Sequence, residues 1–124
     1  MTRLPSLLAA GAVALALLAP AADARPTRTC KSADLRYPFQ PGGPKTFGVF
    51  RLRITGGSCT TAHRVAKTWM TRFEADLRRG RVRLPKSVLG FTFKTLAPNA
   101  AQTYNERGRK GTTTIRFDYV VPNG

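Results

Sequence analysis

The stretch Gly56–Gly80, GGSCTTAHRVAKTWMTRFEADLRRG, decides the fold. At 3.6 residues per turn, Cys59, Ala62, Val65, Ala66, Trp69, Met70, Phe73 and Leu77 share one face, while Arg64, Lys67, Thr71 and Arg78 point the other way. One long amphipathic helix is expected. Ser58, Thr60 and Thr61 all suit an N-cap, and Ser58 is favoured because the apolar rhythm begins at Cys59. Arg78 and Arg79 suit the negative end of the helix dipole, and Gly80 suits the left-handed position that ends a helix. Asp76 falls near the edge of the apolar stripe, where Arg72 or Arg79 is placed to pair with it.

The flanking segments supply what the helix must cover. Thr46–Thr55 ends in alternation, with Phe50, Leu52 and Ile54 on one side and Arg51 and Arg53 on the other. Leu89–Leu96 predicts a second strand with Phe91 and Phe93 inward and Thr92 and Lys94 outward. Thr112–Val121 predicts a third, with Ile115, Phe117, Tyr119 and Val121 on one face and Thr114, Arg116 and Asp118 on the other. Leu35, Tyr37 and Phe39 alternate and suit a short strand or arm, before Pro38, Pro41, Gly42, Gly43 and Pro44 impose a loop. Arg81–Val88 reads as a basic connection. Ala97–Gly111 reads as a long polar loop, with a helical turn an option at Ala100–Glu106. The expected fold is α+β: a three- to four-stranded, mainly antiparallel sheet with one long helix on one face. Its core would hold Phe50, Leu52, Ile54, Ala62, Val65, Ala66, Trp69, Phe73, Leu77, Phe91, Phe93, Ile115, Phe117 and Tyr119. Arg51, Arg53, Lys94 and Arg116 would line the uncovered face, with Asp118 as its lone acid.

Residues 1–24 read as a secretory signal peptide: Arg3 gives the positive start, Leu7–Leu18 the apolar run, and Ala22-Asp23-Ala24 the small-residue cleavage site. That leaves residues 25–124 as a single small exported domain, secreted or held in the cell envelope, with no transmembrane segment. The chain carries 21 Lys and Arg against six Asp and Glu; Arg3 and Asp23 leave with the leader, so the mature part keeps a net charge of +15. Its field draws in anions. Two cysteines in an exported chain, Cys30 and Cys59, are most simply a disulfide, which would tie the N-terminal arm to the start of the helix.

At GGSCTTAHRVAKTW the chain resembles a group of small exported actinobacterial-type proteins of unknown function. In that group a strand ends in a G-x-S-C-x-x-A-x-x-V helix start, followed by a G-F-x-C strand, a basic turn and a last V-x-F-type strand. The matching residues are Gly56, Ser58, Cys59, Ala62 and Val65, then Gly90-Phe91, Arg107-Gly108-Arg109 and Ile115-Arg116-Phe117. The chain departs at Phe93, where the group usually has a cysteine of a second disulfide. The resemblance implies fold and export and carries no activity over to this chain.

Candidate chemistry is sparse. His63, the one histidine, stands one helical turn after Cys59, a spacing compatible with a thiolate–imidazole pair, but the disulfide claims Cys59 and no Asn or Asp lies nearby in sequence to orient the ring. His63 with Glu74 and an arginine is also the residue set of some small secreted ribonucleases, yet three helical turns, about 16 Å, separate the two. No clustered ligands suggest a metal, and no glycine loop suggests a nucleotide, so no cofactor is expected. Basic clusters are what remain. Arg78, Arg79, Arg81, Arg83 and Lys86 form one, Arg107, Arg109 and Lys110 a second, and the open sheet face a third. Arginine favours bidentate contacts to phosphate or carboxylate. With the strand phenylalanines turned to the helix, no stacking platform is left for reading nucleic-acid sequence.

The expected function is a non-catalytic exported domain whose arginine-rich patches bind an anionic polymer or anionic cell surface. The alternative is a secreted protein-binding module, such as a hydrolase inhibitor, using the loops Pro38–Lys45 or Asn99–Gly111. The plainest reading is a basic surface that reflects composition and solubility alone.

Overall fold

A computed structural model describes residues 25–96 and 102–122; the leader read at residues 1–24 lies outside them. The strands are β1 (Thr27–Thr29), β2 (Arg36–Tyr37), β3 (Phe47–Thr55), β4 (Ser87–Val88), β5 (Phe91–Leu96), β6 (Thr103–Lys110) and β7 (Thr113–Val120). A 3₁₀ turn, Ala33–Leu35, precedes β2, and the one α-helix among the described residues, α1, runs Cys59–Arg78. All strand pairs are antiparallel, in the order β1-β3-β7-β6-β5-β4, with β2 also paired to β3.

The helix starts and stops where its chemistry directs. The Ser58 hydroxyl accepts from the Thr61 N–H at 3.2 Å. At the other end Gly80, at φ +77°, donates to the Leu77 carbonyl while Arg81 N–H reaches back to Asp76. These two bonds satisfy carbonyls the last turn would otherwise leave free. Ala62, Val65, Ala66, Trp69 and Phe73 are buried against the sheet. Trp69 is the centre of the core: its ring lies 5.1–5.3 Å from those of Phe73, Phe117 and Tyr119.

Among the described residues the α+β class and a single helix stand, but seven strands replace the expected three to four. β2 falls within the short strand expected around Leu35, Tyr37 and Phe39, and two of the three additions are short: β1, and β4 at the end of the basic connection. The third addition is β6, which corrects the expected loop. Thr103–Lys110, within the stretch whose composition predicts a polar loop, is a full strand between β5 and β7. Its inward positions are Tyr104, Glu106 and Gly108, opposite Tyr119, Phe117 and Ile115. A buried acid and a glycine broke the apolar alternation that would have marked it. Gly108 is required there, because the ring of Phe93, its direct partner on β5, occupies the space of a side chain. Of the helical-turn option, residues 103–106 are strand; 97–101 lie outside the described residues.

A second correction concerns Phe50. The β3–β7 register shifts between Phe50 and Arg53, and Arg51 sits at φ +55°, the signature of a β-bulge. The extra residue changes the phase of the strand. Val49, Leu52 and Ile54 are buried inward, while Phe50 pairs with Asp118 on the other face and lies under the Arg36 guanidinium, 4.3 Å from its centroid. Cys30, Leu35 and Val88 complete the core. Leu77 only borders it.

The disulfide forms between Cys30 and Cys59, with their Cα atoms 5.4 Å apart. It clamps β1 and the 3₁₀ turn against the start of α1. No helix among the described residues is long and apolar enough to cross a membrane.

Candidate functional site

Helix α1 covers one face of the sheet and leaves the other open. On that open face the registers place Arg53 opposite Arg116, Arg116 opposite Arg107, and Arg107 opposite Lys94. Four cations therefore stand side by side on four neighbouring strands, spaced about 4.8 Å apart and spanning about 14 Å. Like charges directly opposite each other across strands disfavour the fold. Crowding shows at Arg53, whose pKa is lowered first by burial and then by the Arg116 and Arg51 charges. Arg116 keeps its Nε buried without a hydrogen-bond partner among the described residues.

The row of residues on one side of these cations ends in an ion pair. Arg51, displaced by the bulge, donates through Nε to Asp118 Oδ2 at 2.7 Å and through its second nitrogen to the same oxygen. Arg53 is then held by a 2.8 Å bond from its guanidinium to the Arg51 carbonyl. Asp118, beside Asn105 in the register, is largely buried. Arg51, expected among the anion-binding residues, is thus already neutralised. The other three expected for this face, Arg53, Lys94 and Arg116, come together in the row. Arg107, assigned from sequence to a separate basic turn, joins them. Its signal was present: Asn105, Arg107 and Arg109 alternate with the inward residues of β6, once Glu106 and Gly108 are accepted as inward.

The run Arg78, Arg79, Arg81, Arg83 and Lys86 is not part of this face. It begins at the C-terminal end of α1, in the layer on the far side of the sheet, and continues through the exposed connection to β4. Arg72, on the same helix, donates to the Ser87 carbonyl at 2.8 Å rather than pairing with Asp76. Lys110 also turns away, packing over the Phe91 ring.

Two hollows lie elsewhere. One, of about 350 Å³, is lined by Tyr37, Glu74, Leu77, Arg78 and Pro122. Here Tyr119 donates its hydroxyl to Glu74, and burial, reinforced by that carboxylate, pushes the Tyr119 pKa well above its usual value. The other, of about 540 Å³, is lined by Thr29, Cys30, Lys31, Cys59, Thr60 and His63. At its edge His63 Nε2 lies 2.7 Å from Asp34 Oδ2, and this contact lowers the Asp34 pKa. The sequence offered no sign of that partner, 29 positions away; the disulfide brings it in. Cys59 is spent in the disulfide, and Glu74 remains eleven residues along the helix from His63, bound by a different group. In the second hollow both cysteines are joined to each other, so neither offers a thiol to His63. Among the described residues no three His, Cys, Asp or Glu side chains group so as to hold a metal.

No family model, no curated protein and no solved structure matches the chain.

Proposed function

We propose that the chain is an exported, non-catalytic domain that binds anionic polymers through its open sheet face. The observation that carries this is the row Arg53–Arg116–Arg107–Lys94. Four like charges in direct register weaken the sheet that holds them, and a multivalent anion laid along the row offsets that repulsion. The row has no acid within it; the nearest, Asp118, is occupied by Arg51. Export agrees with the leader-like residues 1–24 and with the disulfide, since cysteines pair in oxidising compartments.

The test is binding of the chain from Arg25 onward to anionic polymers over a salt series, beside a variant with Arg53, Arg107 and Arg116 changed to Gln. Affinity should fall steeply with salt, and the variant should bind at least about tenfold more weakly with a shallower salt slope. Equal binding by both proteins would move the site to the Arg78–Lys86 run or to bulk charge.

The protein-binding reading keeps one supporting observation. Of its two loops, Asn99–Gly111 is largely strand β6, but the Pro38–Lys45 loop holds Phe39 69% exposed. That reading predicts a salt-tolerant complex weakened by Phe39→Ala.

A further inference from the structure

Beside the cation row runs a second one. Two residues along each strand, the registers align Thr27, Thr55, Thr114, Arg109, Thr92 and Ser87 across six strands. Five of the six carry hydroxyls and the sixth is a further cation. The line continues beyond any local cause: it crosses every strand of the main path, including the short edge strands β1 and β4. Thr27 and Thr55 bond each other through their hydroxyls at 2.7 Å. Thr92 and Ser87 are exposed and Thr55 and Thr114 half-exposed. The open face is therefore a strip of two parallel edges, cationic along one and hydroxylic along the other, about 7 Å apart.

We infer that the occupant of this strip is a carboxylated polysaccharide, a chain of uronic-acid residues lying across the strands. The inference rests on the anion-binding reading and names its ligand class. A uronic-acid ring carries its carboxylate on one edge and hydroxyls on the opposite edge. Lying flat, it presents the carboxylate to the arginine row and its hydroxyls to the threonine row. Arginine forks suit carboxylates, and threonine hydroxyls both donate and accept. Other polyanions match the two edges less fully, since an anion without hydroxyls can only accept from the threonine row. Polyphosphate has no hydroxyls to offer. Single-stranded nucleic acid calls for aromatic platforms, and the strip has none: Phe50 lies outside both rows and is covered by Arg36. A bilayer surface calls for well-exposed apolar side chains beside the cations, whereas the exposed Phe39, Val82 and Leu89 stand on connections away from the strip, and Phe50 and Leu96, which share its face, are only half-exposed.

The test compares the protein with a variant in which Thr55, Thr92 and Thr114 are changed to Val, which removes three hydroxyls and no charge. The probes are oligogalacturonate, polyglutamate matched in carboxylate number, glycerol-phosphate polymer and inorganic polyphosphate. The expected result is tightest binding to oligogalacturonate, weakened about tenfold or more by the Thr→Val changes, with polyglutamate and polyphosphate unchanged within about twofold. A companion variant with Ser at the three positions should restore binding and exclude a folding effect. Equal loss on all probes, no loss on oligogalacturonate, or preference for glycerol phosphate overturns the inference while leaving the anion-binding reading standing. Failure of the Arg→Gln variant to weaken any probe overturns that reading itself.

Discussion

Glu106 shows what one residue decides in this core. Its side chain is fully buried beneath α1; Thr95 donates to Oε2 at 2.5 Å, while among the described residues neither Oε1 nor the indole N–H of Trp69 makes a well-formed hydrogen bond, although the indole is near enough to act on the carboxylate. Burial pushes its pKa up to about 7, against the smaller downward pull of Thr95 and Trp69. The folded chain therefore holds this proton up to about pH 7, whereas the unfolded chain releases it near 4.5. Between those values the native state binds more protons, so stability falls as pH rises through that window. The loss should reach roughly 2–3 kcal/mol above neutrality. Glu106→Gln should flatten the dependence and make the variant more stable than the native chain at pH 8. Denaturant midpoints at pH 4.5 and 8 check this, and a native profile that stays flat would show the carboxylate already finds solvent.

At the scale of the element, β6 depends on a side chain that is missing. A Cβ on Gly108 would stand 2.5 Å from Cζ of Phe93 and under 3 Å from both its Cε atoms. The ring cannot simply swing aside, because it packs against Phe117 at 6.0 Å between centroids. Gly108→Ala should cost about 1–3 kcal/mol through overpacking. Trimming the neighbour tests the cause: in the Phe93→Leu background the same alanine should cost clearly less, a non-additivity read from thermal or urea unfolding. The same strand explains the cation row. Arg107 bridges Arg116 and Lys94 only because β6 lies between β7 and β5.

For the whole molecule the disulfide is the main staple between the N-terminal arm and the helix–sheet core. β1 is a three-residue, fully exposed edge strand, held by its pairing to β3 and by Cys30. Replacing both cysteines with Ser should lower stability by about 3–4 kcal/mol in the chain-entropy description. Amide exchange should quicken first in Thr27–Thr29 and the 3₁₀ turn, with β6 and β7 protected longest. Uniform loss of protection would instead mean that arm and core open as one unit.

The helix, its Ser58 cap, its glycine stop, the α+β class and the cysteine pairing were determined by local sequence. Each follows from residues close together in the chain, or from two cysteines with no other partner. Lys94, Arg53 and Arg116 were also placed on one face by simple alternation. Tertiary structure decided the rest. The bulge at Arg51 exchanges Phe50 for Val49 in the core, and no pattern within β3 announces it. Strand β6 hides behind Glu106 and Gly108, residues that face inward only because Thr95 and the Phe93 ring meet them from β5. His63 finds Asp34, and four cations and a line of hydroxyls fall into register, through pairings between residues distant in sequence. Periodicity tells which side of a strand a residue takes; only the pairing of strands tells which residues from other strands stand beside it.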